Sequence, residues 1–259
     1  MARPRGTITG ITTITVTVMT EAVSQSALYR LLTFLSSAFP IGAFTYSHGL
    51  EQVIEDGAVT SAADLQAWLQ DILQFGAGRS DSILLKESWR SAKAGAQEQI
   101  VELVELGLAL QPSKERHLET SAQGTAFMDA VKASWAPDNI SPAGEIFAQL
   151  TDLNCQDAPK YWPYPVALGL VTAMHDIPEE AALSSFLHAF TANLISVAVR
   201  AVPLGQNHGQ KVLAELEPVI FSVAREALEA SLDDLGTSTF LADIASMAHE
   251  TQYSRLFRS

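Results

Sequence analysis

The sequence predicts an all-α fold, a single-domain bundle of many short-to-medium helices behind an irregular N-terminal leader. Three observations predict it. Apolar residues recur at the i, i+3, i+4, i+7 spacing of a buried helix face through most of the chain beyond Met19. The composition, 47% hydrophobic with 17% charged residues, is tilted towards the helix formers Ala and Leu. Beyond Met19 no two alternating segments are joined by a hairpin signal, and no βαβ rhythm or fixed-period repeat occurs.

Residues 1–19 carry Arg3 and Arg5 followed by an Ile/Thr/Val run. Threonines interrupt the apolar block that a secretory signal requires, and no small-residue cleavage pattern follows. The segment reads as a mobile leader or a mis-assigned start, with an edge strand presenting Ile14, Val16 and Val18 as the alternative. Residues 20–259 read as one helical domain. Within it, Ser61 and Asp64 have capping-box spacing ahead of the stripe Leu65, Trp68, Leu69, Ile72 and Leu73. A second stripe joins Ile100, Leu103, Val104 and Leu108, and a longer third joins Leu183, Phe186, Leu187, Phe190, Leu194, Val197 and Ala198. Ser141-Pro142 and Asp176-Ile177-Pro178-Glu179-Glu180 are helix starts, since proline fits the first turn and carboxylates favour the positive end of the helix dipole. Breaks fall at 111–113, 136–139, 162–165 and 202–205, each too short for a domain linker.

Charge and cysteine usage restrict the partners. A net charge of −13 repels phosphate backbones, and no Lys/Arg stripe offers an exception, so nucleic acid is not expected. The basic residues of the last third are too dispersed to make a lipid-binding patch. No run reaches about 18 consecutive apolar residues, so no membrane span is expected. The single Cys155 cannot close an intramolecular disulfide, which fits a reducing compartment, the cytoplasm.

A search for chemistry returns little. Histidines 48, 117, 175, 188, 208 and 249 never pair at i, i+3 or i, i+4, so spacing reveals no metal site, although His48, His117 and His249 remain free to converge in space. Residues 205–211 lack the spacer and Gly-Lys-Ser/Thr ending of a phosphate loop. Ser47 lacks the preceding strand and glycine of a hydrolase elbow. No neighbouring base marks Cys155 as a nucleophile. The chain reads as a non-enzyme with no tightly bound cofactor. What remains are two contact-rich stretches. In 39–51, FPIGAFTYSHGLE, small residues permit close backbone approach, while Phe44 and Tyr46 offer rigid area to a partner or to the chain's own corner. In the terminal ETQYSRLFRS, Leu256 and Phe257 lie among arginines and require an apolar pocket, on this chain or on another.

The stretch PIGAFTYSHGLE, from Pro40 to Glu51, resembles the opening signature of the urease accessory protein UreF family. RHLETSAQG, from Arg116 to Gly124, resembles that family's middle segment, and NLISVAVRAVPLGQ, from Asn193 to Gln206, its late helix and turn. The ending Arg255 to Ser259 completes the match, which runs from about Tyr29 onward. This resemblance implies an all-helical, homodimeric scaffold that binds UreD (also called UreH) and the GTPase UreG and acts on apo-urease through that complex. Nickel is then handled by the complex and GTP by UreG. It further implies that Glu51 and Arg200 make polar contacts that matter to the GTPase complex, and that Tyr253, Arg255, Leu256 and Phe257 form the surface UreD orders. Two alternatives stand beside it: a regulator that lends Arg200 or Arg255 to UreG, and a direct nickel carrier.

Overall fold

The computed structural model describes residues 23–137, 141–152, 154–202 and 204–259. The chain runs through α1 (Gln25–Phe34), α2 (Leu50–Glu55), α3 (Ala62–Phe75), α4 (Ala77–Ala94), α5 (Gln97–Ala109), α6 (Lys114–Ser134), α7 (Pro142–Leu150), α8 (Tyr164–Met174), α9 (Glu179–Ala201), α10 (Gln206–Glu229) and α11 (Phe240–His249). Short 3-10 turns at Ala43–Thr45 and Leu232–Asp234 precede α2 and α11, and there is no strand among the described residues. The leader reading of residues 1–19 lies outside the described residues.

Local chemistry places the helix starts. Ser61 Oγ accepts the Asp64 amide at 3.2 Å while Asp64 Oδ2 accepts the Ser61 amide at 3.0 Å, so α3 opens on the expected capping box. Serine side chains also cap α1, α6 and α7, the last with Pro142 in its first turn. Of the first stripe, Leu65, Leu69, Ile72 and Leu73 are buried and Trp68 is half-buried. The expected break at 162–165 is shorter than the sequence suggests. Tyr164 and Pro165 already belong to α8, where a proline in the first turn loses no intrahelical bond.

Helix α8 is the axis of the molecule. Every residue from Pro165 to Met174 is buried, so it shows no polar face to read. Helix α4 packs along it, with Ser88 Oγ donating to the Val166 carbonyl at 2.7 Å. At this crossing Gly169 is obligatory, because a Cβ there would sit 2.3 Å from the Leu85 carbonyl oxygen. Helix α6 approaches the start of α8 still more closely: a Cβ on Gly124 would lie 1.9 Å from the Trp162 carbonyl oxygen. Helices α9 and α10 pair with each other, and α10 also packs against α3 and α4. Helix α11 lies across α2 and α6, and the last ten residues run back over α2.

Helix α9 is long and apolar enough by mean hydropathy to cross a membrane, because His188, Thr191 and Asn193 interrupt its apolar run without offsetting it. Half of its apolar window is buried inside this fold, where Leu183, Leu187, Leu194, Val197 and Ala198 join the common core.

Candidate functional site

The stretch 39–51 folds as a tight corner. Gly42 and Gly49 take positive φ values of 70° and 77°, and His48 takes 61°, a conformation rare for a residue with a Cβ. Gly49 has a second constraint, since a Cβ would sit 2.8 Å from the Ser246 amide nitrogen where α11 crosses. The corner delivers Glu51 into the first turn of α2, buried at 6% exposure beneath the end of α11.

Glu51 is the anchor of the C-terminal segment. Its Oε1 accepts the Leu256 amide at 2.7 Å, and its Oε2 accepts the Phe257 amide at 3.0 Å and faces His249 Nε2 at 3.0 Å. The other ring nitrogen of His249, Nδ1, lies 2.6 Å from Glu115 Oε2, while Glu115 Oε1 accepts Arg255 Nη1 at 2.7 Å. His249 is fully buried between the two carboxylates. The two carboxylates are buried at 8% side-chain exposure, whereas Arg255 reaches Glu115 from the surface with its side chain 40% exposed.

One helical turn along α6, Glu119 makes a second hub. It accepts the Arg116 guanidinium and, at 2.9 Å, the Ser259 hydroxyl through Oε2, and His48 Nδ1 and Gln123 Nε2 at 3.4 and 3.3 Å through Oε1. Burial alone would push the Glu119 carboxyl up, but Arg116 and His48 outweigh it and hold it well below the usual carboxylate range. Burial, reinforced by Arg116, pushes His48 down towards its neutral form, with Glu119 and Asp243 partly opposing. His48 Nε2 is buried and has no hydrogen-bond partner among the described residues. It borders a cavity of about 410 Å³ whose walls include Phe34, Phe39, Phe44, Phe190 and Asp81. His48, Asp81 and Arg116 also wall a smaller cavity of about 70 Å³ on the α11 side. Burial, with repulsion from Glu119, raises Asp81 to about 6 against the opposing pull of Arg116.

The residues singled out from sequence therefore gather at one end of the molecule. Tyr46 and Phe257 are buried within this chain, whereas Phe44, Tyr253 and Leu256 stand exposed beside them. Arg200 stacks on the Phe257 ring at 4.4 Å and donates to the Phe44 carbonyl at 2.9 Å, so it joins the first motif to the tail. Of the three histidines left free to converge, His117 is exposed, and His48 and His249 bind different glutamates. No group of three or more His, Cys, Asp or Glu side chains placed to hold a metal occurs among the described residues. Sequence reading missed Glu115, Glu119 and Ser259, which are drawn into the site by partners 71 to 212 residues away. It also missed the exposed row Phe240, Leu241, Ile244 and Met247 on α11, which was legible as a helical stripe in 240–249.

The fold and this site define a class: an all-helical protein whose C-terminal segment returns to seat on buried glutamates beneath an aromatic, glycine-bearing corner. The chain belongs to the UreF family, whose model matches residues 59–217. The urease accessory protein UreF of Rhodopseudomonas palustris (strain HaA2) is 49% identical over 239 residues, covering 92% of this chain and 96% of that relative. The urease accessory protein UreF of Bradyrhizobium diazoefficiens is 45% identical over 238 residues, covering 92% of this chain and 94% of that relative.

Proposed function

We propose that this chain is a non-catalytic scaffold of urease maturation, which joins UreD and the GTPase UreG in a cytoplasmic complex that places nickel in apo-urease. Nickel is the cargo of that complex, and GTP belongs to UreG. The observation that carries the reading is the division of the C-terminal segment into two faces. Backbone amides, Phe257 and Ser259 hold it to its own chain, while Tyr253 and Leu256 project into solvent beside exposed Phe44. Large apolar side chains presented on a braced segment suit recognition by another protein. The exposed row Phe240, Leu241, Ile244 and Met247 widens that area and supports self-association or further contact.

Lending an arginine to UreG finds less support, because Arg200 is engaged with Phe257 and Phe44 and Arg255 with Glu115. Co-purification tests the scaffold reading. Tyr253→Ala with Leu256→Ala is expected to abolish retention of UreD while helical circular dichroism stays unchanged. Full retention of UreD by that variant overturns the assignment of this surface.

A further inference from the structure

The cavity of about 410 Å³ is walled by aromatic rings and a small set of charged groups. Phe34, Phe39, Tyr164, Phe186 and Phe190 supply the rings, with Phe186 stacked on Phe190 at 6.3 Å between centroids. The charged members of the lining are Asp81, Arg116 and Glu119. Arg116 and Glu119 pair with each other, so an ionised Asp81 leaves the lining with one net negative charge. Asp81 is buried, and no donor among the described residues gives its carboxylate a hydrogen bond; the charge of Arg116 is all that favours its ionised form. His48 meets Phe190 edge to face at 5.0 Å and belongs, with Asp81, to the wall this cavity shares with its smaller neighbour. The His48 Nδ1 faces Glu119, an ionised carboxylate that can only accept. In the neutral ring that burial favours, the proton therefore sits on Nδ1 and Nε2 carries a lone pair. That nitrogen is buried and has no partner among the described residues.

We propose that this cavity is a binding site for a small organic ammonium ion, whose N–H groups meet His48 Nε2 and the Asp81 carboxylate and whose apolar body lies among the rings. Two acceptors with nothing to receive stand on one wall, and an ammonium group brings three donors and no acceptor. Its single charge balances the one the lining leaves over, and the faces of the aromatic rings attract a cation. An organic anion is repelled by the same carboxylate, and a neutral alcohol leaves that carboxylate buried without a counter-charge. A metal ion fits less well, since no group of three or more His, Cys, Asp or Glu side chains placed to hold one occurs among the described residues. The volume accommodates a body of one aromatic ring or a short alkyl chain. Capture of such a ligand is a property of the isolated chain and does not depend on UreD or UreG.

Isothermal titration calorimetry of the full chain at pH 8, where Asp81 is ionised, tests it with benzylamine as the probe and with benzyl alcohol and benzoate as its neutral and anionic counterparts. Benzylamine is expected to saturate a single site and to bind about tenfold or more tightly than benzyl alcohol, with no binding of benzoate. Asp81→Asn keeps the shape of the side chain and removes its charge. It is expected to weaken benzylamine by about tenfold or more while leaving benzyl alcohol unchanged. His48→Asn, a residue that tolerates the left-handed backbone at 48, is expected to weaken both. Equal affinity of the unaltered chain for benzylamine and benzyl alcohol overturns the ammonium site, and that comparison needs no variant to fold. Absence of benzylamine binding overturns it too, as does undiminished binding by Asp81→Asn.

Discussion

The Nε2 of His249 stands 3.0 Å from Oε2 of Glu51, although 198 residues separate the two in sequence. The same carboxylate takes both tail amides, so the end of α11, the start of α2 and the C-terminal segment meet on one side chain. His249→Ala leaves Glu51 and Glu115 buried without their shared donor. Glu51 keeps the two tail amides and Glu115 keeps Arg255, so the loss is expected to be about 1–3 kcal/mol, whereas His249→Gln loses less because its amide still donates to one of the carboxylates. Urea unfolding followed by circular dichroism measures both.

The two faces of the tail separate by stability. Phe257→Ala removes a buried ring from beneath Arg200 and is expected to lower stability by about 3 kcal/mol. Tyr253→Ala touches a side chain wholly in solvent and is expected to change it by less than about 0.5 kcal/mol. Thermal denaturation of the two variants tells them apart, and equal losses count against the docking described.

Asp81 predicts a pH dependence. Its pKa rises from 3.8 to about 6 in the fold, so its neutral form is the one the fold favours. The stability it contributes is fully present below about 3.8 and is lost as pH rises through about 6, an effect on the order of 1–3 kcal/mol. Asp81→Asn is expected to match the parent chain near pH 4 and to exceed it above pH 7. Melting temperatures across pH 4–8 give the comparison.

Gly124 and Gly205 make a contrasting pair. A methyl group on Gly124 meets the Trp162 carbonyl, a backbone atom that cannot move aside, so Gly124→Ala is expected to cost about 3 kcal/mol or more. Gly205 has an extended backbone, and a Cβ added there meets only His208 Nδ1, at 3.6 Å, so Gly205→Ala is expected to stay within about 0.5 kcal/mol. Denaturant midpoints check both.

How much of this was legible in the sequence depends on the range of the interaction. Ser61 and Asp64 lie three residues apart and pair as their spacing requires, and the stripes of α3, α5 and α9 turn their apolar residues inward. Helix α8 escaped because a helix buried on every side has no polar face to set its period. The buried network escaped for another reason. Glu115 and Glu119 look like ordinary surface letters until the fold brings α2, α6 and α11 together, and no local pattern encodes that meeting. The two motifs drew notice as separate contact stretches, and their being each other's partners is a fact of tertiary structure.

Ser259 is wholly buried, with a main-chain oxygen on Ser47 and its hydroxyl on Glu119. A side chain larger than serine at 259 must be housed in that interior position and acts as a lever on everything the residue touches, so a bulky substitution there reports on a pried-open molecule.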